Sequence, residues 1–329
     1  MVRKDGSSPR GPRAAACPAA TRLLASLLAA MSWLVACPVA ADTPGAPRSL
    51  RSVTFNVLHG GVSSGLFGNG QDLDRRLEIA AGELRGLDAD VIGLQEASVG
   101  LGRGNVARRL ADRLAFHYVH TLSTVRFFGN EFLGRVAVGT TNFAEGPAIL
   151  SRYPIVAWQA WDLPRCGRWY DPRVLLHAVL DTPWGRISAF STHTAGDPCQ
   201  TRRVAELVAS RRDSLPAVLM GDLNASEDSP AIAVLTNGAG LVDAFRAANP
   251  TDPGLTVWQK VDVPYPMARR RVDYVFLAPG HVVAGTVRAS RVVLNTPRRL
   301  ADGRLLWPSD HYAVLADLDV FPTPGRAAR

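Results

Sequence analysis

The sequence predicts an α/β fold in which two packed β-sheets are flanked by helices. Strand-like segments, short and either alternating or continuously apolar, outnumber the amphipathic helical segments. Several of these segments end in an acidic, amide or histidine residue. The 329 residues are 47% apolar and 20% charged, an ordinary globular composition with ample material for a core. Because no repeat and no second domain boundary interrupt the pattern, we expect one domain after the N-terminal segment.

Residues 1–41 have the features of a secretory signal peptide. Basic residues precede Leu23–Ala36, an uncharged apolar run of 14 residues. This run is shorter than the roughly 20 residues needed to span a bilayer and fits the apolar region of a signal peptide. The small residues Val39-Ala40-Ala41 resemble a signal-peptide cleavage site before Asp42. We therefore expect a secreted or periplasmic protein.

The leader is also compatible with a second kind of processing, lipid attachment. Leu34-Val35-Ala36-Cys37 resembles a bacterial lipobox, in which Cys37 would carry a lipid anchor. Pro38 directly after the cysteine is unfavourable for a lipobox, and therefore favours cleavage before Asp42 without lipid attachment. In either case the small, proline-rich stretch 42–50 is expected to be a tether.

Charge and cysteine content limit the partners and cofactors. Five basic residues and one acid in the leader supply +4 of the formal +8, which leaves +4 for the mature chain. This mild excess is compatible with a polyanionic partner without requiring one. The two cysteines after the leader, Cys166 and Cys199, are too few for a structural zinc site, and in an exported chain we expect them to form a disulfide.

The first expected elements are a strand and a loop. Residues 51–58 alternate, with Val53, Phe55 and Val57 on one face, and predict a strand. The glycine- and serine-rich residues 60–70 predict a loop.

Helices and strands then alternate. A helix is expected from Asp72, with Asp72 or Asp74 as its N-cap. Its apolar stripe consists of Leu73, Leu77, Ala80, Ala81, Leu84 and Leu87. A buried strand over 91–94 leads into Gln95-Glu96, and a second helix covers 105–114. Residues 127–146 are rich in glycine and aromatic residues without a period, and predict a long surface loop.

The second half of the chain adds mostly strands. Segments 173–180 and 186–192 predict a hairpin around Pro183-Trp184-Gly185. The apolar run Ala217–Met220 predicts a buried strand that stops at Gly221. The other expected strands cover 148–152, 272–277, 282–293 (one or two strands) and 312–320, and the other expected helices cover 200–214 and 230–235.

Polar residues with related chemistry lie at the expected strand ends. They are Asn56, Glu96, His193, Asp222, Asn224, Asp273, Asp310 and His311. Asp222 and Asn224 alone would be read as a turn, because Asp and Asn often cap their own backbone. Together, however, the carboxylates, amides and histidines suit a divalent cation and an attacking water, and indicate a metal-dependent hydrolase.

The order of these motifs resembles the endonuclease/exonuclease/phosphatase superfamily. The motifs run from Arg51 to Val320 and comprise Thr54-Phe55-Asn56, Leu94-Gln95-Glu96, Ile149-Leu150-Ser151-Arg152, Ser191-Thr192-His193, Gly221-Asp222-Leu223-Asn224, Arg271-Val272-Asp273-Tyr274 and Ser309-Asp310-His311. The resemblance implies a DNase I-like, four-layered sandwich of two mixed sheets flanked by helices. It also implies a catalytic domain over 51–321, followed by a tail at 322–329.

The resemblance implies a metal site. Glu96 resembles the main Mg²⁺ carboxylate of the family, with Mn²⁺ as a possible substitute. Asn56 and Asp310 are expected beside the metal, as direct or water-mediated ligands.

The resemblance also implies catalytic roles. Asp222 resembles the residue that orients or deprotonates the attacking water, and Asn224 is expected to support it and the phosphate. His311 resembles the histidine that binds the scissile phosphate, with Asp273 fixing its tautomer and favouring its protonated form. His193 resembles a second phosphate-facing histidine, a candidate to assist the leaving group.

The predicted function is an exported Mg²⁺-dependent phosphohydrolase that cleaves phosphodiester or phosphomonoester bonds. DNA or RNA is the first-choice substrate, because of export and mild positive charge. A sphingomyelinase-like phospholipid phosphodiesterase is the alternative, favoured if Phe127, Phe128, Phe132 and the tryptophans near 158–184 are exposed. A non-catalytic surface binding module is a third possibility. No obligate protein partner is implied, and we expect a monomer.

Two further features are expected to lie outside the catalytic site. His59 is expected to be an ordinary loop histidine, with a position lining the site as the alternative. The basic run Arg269-Arg270-Arg271 is expected to be solvated, with a phosphate-binding rim as the alternative.

Overall fold

The computed structural model describes residues 49–59, 71–124, 130–167, 172–213 and 215–320. The predicted signal peptide, the lipobox, most of the tether, the 60–70 loop and the 322–329 tail lie outside these residues. In the first half, the elements are β1 (Ser49–Asn56), α1 (Leu73–Leu87), β2 (Val91–Gly100), β3 (Gly104–Asn105), α2 (Val106–Leu114), β4 (His117–His120), α3 (Glu131–Thr141), β5 (Ala144–Ser151) and β6 (Ile155–Asp162).

The second half contributes most of the second sheet. Its elements are β7 (Val174–Thr182), β8 (Gly185–His193), α4 (Pro198–Ala209), β9 (Ala217–Asp222), α5 (Pro230–Ala233, continued by a π-helical turn, Val234–Gly238), β10 (Val242–Asp243), α6 (Ala244–Ala248), β11 (Asp273–Ala278), β12 (Thr286–Val293), β13 (Arg298–Arg299), β14 (Leu305–Leu306) and β15 (Ala313–Asp319). The hairpin of β7 and β8 is confirmed, since Thr182 pairs with Gly185.

The strands form two large mixed sheets. The first sheet has the order β12-β15-β1-β2-β5-β4, with β3 beside β2, and the second has the order β10-β11-β9-β8-β7-β6. Strands β1 and β2 are parallel, as are β8 and β9, whereas the other neighbours within these two sheets are antiparallel. The small pair β13–β14 stands apart.

Three apolar layers hold the four structural layers together. The central layer lies between the sheets and includes Leu50, Ile149, Val218 and Val314. A second layer packs α1 and α2 against the first sheet, and a third packs α4 and α5 against the second sheet. The predicted four-layered α/β sandwich of two mixed sheets is therefore confirmed.

The long loop predicted over 127–146 is wrong for the part that the structure describes. Residues Glu131–Thr141 form α3, which begins where the Asn130 side chain accepts hydrogen bonds from the backbone N–H groups of Phe132 and Leu133. Strand β5 then begins at Ala144 because it pairs with β2 as far as Val99. Phe127 and Phe128 lie outside the described residues.

Other boundaries also differ from the sequence prediction. Strand β1 begins at Ser49, within the predicted tether, because it pairs with Asp319 of β15. Strands β4 and β6 were not predicted, and β6 is an edge strand whose Trp158 is exposed. Asp72 precedes α1 in a left-handed conformation without a side-chain cap; its carboxylate pairs with Arg304 instead.

Cys166 and Cys199 form the predicted disulfide. It joins the segment before β7 to the first turn of α4 and so encloses the β7–β8 hairpin. Within the described part of the chain, no helix is both long and apolar enough to cross a bilayer.

Candidate active site

Three neighbouring strands of the second sheet carry acidic and histidine side chains at the same level. His193 pairs with Asp222 in the parallel register of β8 and β9, and Asp222 pairs with Asp273 in the antiparallel register of β9 and β11. Because residues opposite each other on adjacent strands project to the same face, the register alone brings these three side chains together. The structure thus unites three of the predicted residues at one edge of the sheet.

The first sheet contributes Asn56 from the end of β1 and Glu96 from the middle of β2. Asn56 pairs with Gln95 in the parallel register. Glu96 follows in a left-handed conformation, with φ 57°, where the pairing of β2 with β5 shifts between Leu94 and Ala97. This irregularity changes the direction of the Glu96 side chain, which in a regular strand would follow the alternation of side chains between the two faces of the sheet. Asn56 Nδ2 donates to Glu96 Oε1 at 3.1 Å.

Asp222 lies at the centre of the site. Its Oδ2 accepts a hydrogen bond from Asn56 Nδ2 at 3.0 Å, and its Oδ1 accepts one from the Asn224 backbone N–H at 2.9 Å. Burial raises the pKa of Asp222 to about 7, with His311 opposing and Asp273 adding to the increase. A buried carboxylate with a pKa near neutrality is suited to accept a proton from water.

His311 lies between two carboxylates. Its Nδ1 is 2.9 Å from Asp273 Oδ2, and its Nε2 is 3.7 Å from Asp222 Oδ2. Burial alone would lower the pKa of His311, but the charges of Asp273, Asp222 and Asp310 raise it well above the usual value. The imidazole is therefore a buried cation at neutral pH.

His193 has the opposite electrostatic character. Burial lowers its pKa well below the usual value, and interactions with Arg173, His311 and His59 lower it further. Asn224 Nδ2 lies 2.9 Å from His193 Nε2 and also donates to Thr194 O. Nε2 also lies 3.4 Å from Asp222 Oδ2, so this nitrogen faces both the Asn224 amide and the central carboxylate.

The predicted metal ligands combine two half-buried carboxylates with a buried amide. Burial disfavours the charge on Glu96, yet His59, Asn56 and His311 together hold its pKa below the usual value. Burial raises the pKa of Asp310, and repulsion from Glu96 adds to this effect. Two oxygen donors that repel each other at the wall of a site fit a hard divalent cation such as Mg²⁺ or Mn²⁺.

Asn56 contributes to that site in a specific way. Its Nδ2 faces the carboxylates of Glu96 and Asp222, whereas its Oδ1 accepts the Leu58 backbone N–H at 3.1 Å. The amide therefore orients the two carboxylates. Among the described residues, ligand atoms of Asp222, Asp273 and His311 also lie within 4.8 Å of one another, although the Asp273–His311 hydrogen bond already engages two of these groups.

Comparison with known proteins identifies the family. The model of the endonuclease/exonuclease/phosphatase family matches residues 53–311, which span every residue of the site. The chain belongs to the endonuclease/exonuclease/phosphatase family. Its members are phosphoester hydrolases that generally depend on divalent metals, and the predictions of the family and of a phosphate-ester hydrolase are confirmed. A search of curated proteins returns no match.

Solved structures of family members share the fold. A family protein from Beutenbergia cavernae is 25% identical and has a TM-score of 0.60, over 85% of this chain and 74% of that one. A mannosyl-6-phosphatase from Bacteroides thetaiotaomicron is 20% identical, with a TM-score of 0.60 over 82% of this chain and 99% of that one. The D. rerio TDP2 structure, complexed with a single-strand DNA product, is 16% identical, with a TM-score of 0.57 over 82% and 98% of the two chains.

His59 is part of this endonuclease/exonuclease/phosphatase site, and its interpretation as an ordinary loop histidine is wrong. Its Nε2 lies 3.3 Å from Glu96 Oε2, which also accepts the His59 backbone N–H at 3.3 Å. The edge of its ring packs on Phe143 of the α3–β5 turn. The signal in the sequence was its position three residues after Asn56, where the chain leaves β1.

Two arginines near the site were also missed. Arg76 is buried, donates to the carbonyls of Val57, Leu58 and Pro308, and places positive charge near Asp310 and Glu96. Its signal was an arginine three residues after Leu73, on the apolar stripe of α1. Arg173, just before β7, lines a small cavity together with Glu96, Glu145 and His193.

The basic run before β11 divides between the interior and the surface. Arg271 is buried and pairs with Asp243 and Glu227, so it does not belong to a solvated run or a phosphate rim. The Arg270 guanidinium lies 5.8 Å from the centre of the Trp258 ring. Arg269 faces a cleft beside Asp310.

Proposed function

We propose that this family member is a Mg²⁺-dependent phosphodiesterase that attacks nucleic acid with a water molecule. The observation that carries the proposal is the contrast between two buried groups. Asp222, with a pKa of about 7, can accept a proton, while 3.7 Å away His311 is held as a cation. Phosphoryl transfer to water needs both groups. The base takes a proton from the attacking water, and the positive charge stabilises the phosphate.

The hydrogen bonds indicate the role of each residue. Asp222 is fixed through one oxygen by Asn56 and through the other by Asn224, so it can hold a water molecule in one position and take its proton. His311 donates its Nε2–H to a non-bridging oxygen of the phosphate, because Asp273 engages Nδ1. His193 is neutral and acts as a hydrogen-bonding group beside Asn224.

Glu96 and Asp310 are the residues that would hold the cation, with Asn56 orienting Glu96. When bound, a divalent cation supplies positive charge to the phosphate and the leaving oxygen. Mg²⁺ is our first choice because the donors are oxygens, and Mn²⁺ accepts the same donors. We also propose that the protein acts outside the cytoplasm, secreted, periplasmic or anchored through Cys37, as its leader suggests.

Nucleic acid is preferred because the chain after the leader has a formal charge of +4. A phospholipid phosphodiesterase is the second candidate, and one observation favours it. On α3, the apolar side chains of Phe132, Leu133 and Val136 are 71%, 47% and 49% exposed. An exposed apolar helical face would suit a lipid surface.

The deciding experiment incubates purified protein with supercoiled plasmid and Mg²⁺, in parallel with EDTA and with Asp222→Asn. Nicking that requires both the metal and Asp222, and that weakens as salt is raised, would support the proposal. Folded, metal-binding protein that neither nicks the plasmid nor cleaves a single-stranded oligonucleotide would remove nucleic acid as the substrate. Release of phosphorylcholine from sphingomyelin vesicles would then establish the second candidate.

A further inference from the structure

A cleft beside the candidate metal site holds an exposed tryptophan. The cleft has a volume of about 780 Å³, and Asp310 and Trp258 both line it. Binding sites for small molecules commonly have volumes of roughly 300–1,000 Å³. The cleft therefore offers room for a chemical group attached to a phosphate that is bound beside Asp310.

The Trp258 side chain is 60% exposed, although the backbone around it is firmly held. Val257 and Arg270 exchange backbone hydrogen bonds at 3.0 and 2.9 Å. On the other side, the Gln259 N–H donates to the Asp310 carbonyl at 2.7 Å. These bonds fix the backbone on both sides of Trp258 and connect it to Asp310, the residue that precedes His311.

Gln259 fixes the rest of this segment. Its buried amide donates to the carbonyl of Tyr265 at 3.1 Å and accepts the Met267 N–H at 2.8 Å. Its Oε1 also accepts the Tyr312 hydroxyl at 2.6 Å. A large aromatic group on a preorganised backbone loses little conformational freedom when it binds a ligand, which favours recognition.

The charges of the cleft indicate what the indole recognises. Three cations and three carboxylates line it, namely Lys260, Arg269, Arg304, Asp72, Asp262 and Asp310. Arg304 and Asp72 are already paired at 3.1 Å. Because cationic and anionic side chains are equal in number, the cleft attracts a long polyanion only weakly. Contact with the Trp258 indole is therefore the main interaction that the cleft offers a ligand. The Arg270 guanidinium near the indole adds a second planar group of the type that stacks on bases.

We propose that Trp258 is a stacking platform for the nucleobase next to the scissile phosphate, with Arg270 as its support. The inference rests on the proposed nucleic-acid phosphodiesterase activity and assigns its base-binding subsite. The substrate it favours is a single-stranded end or a short oligonucleotide, whose bases are free to leave a stack. Stacking of one base on one aromatic side chain is commonly worth about 5- to 150-fold in affinity, equivalent to about 1–3 kcal/mol.

The first test uses two esters with the same leaving group, thymidine 5′-(p-nitrophenyl phosphate) and methyl p-nitrophenyl phosphate. We expect Trp258→Ala to lower kcat/KM for the thymidine ester about 5- to 150-fold more than for the methyl ester. Trp258→Phe should retain most of the difference. Trp158→Ala is the matched control, because Trp158 is similarly exposed, at 56%, on the edge strand β6. Equal losses on both esters would overturn the proposal.

A binding measurement separates this proposal from the proposed function. Thymidine 5′-monophosphate should quench the indole fluorescence of the Asp222→Asn protein, and Trp258→Phe in that background should remove most of the quenching. If quenching depends on Trp258 but neither ester is hydrolysed, the base-binding subsite stands and the proposed function fails. If both esters are hydrolysed and Trp258 affects neither binding nor the ester ratio, the function stands and the subsite fails. Equal quenching by mannose 6-phosphate would overturn the assignment to a base.

Discussion

Asp273 Oδ2 lies 2.9 Å from Nδ1 of His311, and both side chains are buried. The bond directs the other ring nitrogen toward Asp222, and the surrounding carboxylates overcome burial to raise the pKa of His311 well above its usual value. A buried imidazolium needs both a fixed ring orientation and a nearby negative charge, and Asp273 supplies the two together. This pair is the most direct point at which to test the site.

Asp273→Asn should lower kcat about 100-fold or more while leaving the protein folded, because the amide keeps the shape of the side chain but removes the charge that holds the proton on His311. Steady-state kinetics and circular dichroism would measure the two effects. Asp319→Asn, at the far end of β15, is the control. A kcat near the normal value would show that His311 does not act as a cation.

Asp222→Asn should lose two to three decades of turnover, about 3–4 kcal/mol of barrier, because the amide cannot accept a proton from water. Single-turnover assays at saturating metal would measure the chemical step directly. His311→Ala should show a loss of similar size. Near-normal rates in either variant would overturn the assigned roles.

The pH dependence follows from the shifted pKa values. In the metal-free protein Asp222, with a pKa of about 7, is protonated in acid and becomes a base as the pH rises through 7. His311 stays protonated over that range because its pKa is raised. Activity should therefore rise with pH on the acidic side and fall only when His311 loses its proton. A bound cation favours the carboxylate, so higher Mg²⁺ should move the acid limb to lower pH.

Mg²⁺ should stabilise the folded protein through Glu96 and Asp310. At a metal concentration 100 times the Kd, the free energy of unfolding should increase by about 2.7 kcal/mol. Thermal unfolding with and without MgCl₂ measures this increase, and Glu96→Gln should abolish most of it. Glu206→Gln, on the exposed face of α4, is the control. Absence of Mg²⁺ and Mn²⁺ binding in titration calorimetry would favour a non-catalytic binding module instead.

Reduction of the Cys166–Cys199 disulfide should lower the free energy of unfolding. The bond spans 33 residues of sequence, and the chain-entropy model assigns about 3–4 kcal/mol to a loop of that length. Denaturant unfolding of the wild type and of the Cys166→Ser/Cys199→Ser double variant would measure the difference. Equal stability of the two proteins would show that the bridge does not constrain the unfolded chain.

The site residues were predictable because buried strands end at polar residues. Asp222 follows an apolar run, Glu96 follows such a run after one glutamine, and Asn56 ends an alternating segment; these ends are visible in the sequence. The register that sets His193 beside Asp222 was not visible, since it depends on pairing between distant segments. His59 was missed for a related reason: only the left-handed backbone at Glu96 brings the carboxylate to the imidazole.

The fold was predictable to the extent that apolar patterns are regular. Strands β1, β9 and β15 combine alternation or continuous burial with clear ends. Helix α3 was missed because it contains two glycines and buries little, so its amphipathic pattern is weak, and it begins at the Asn130 cap. Strand β6 was missed because an edge strand with exposed Trp158 has no buried face of its own to reveal it.

The pairing of β1 with β15 has a consequence for biosynthesis. The first and last strands of the domain are neighbours in the middle of the first sheet, in register from Ser49–Asp319 to Thr54–Val314. A ribosome-bound chain therefore cannot close this sheet until its final strand has been translated and has emerged. Hydrolytic activity should consequently be absent from nascent chains and appear only after β15 has emerged and paired with β1.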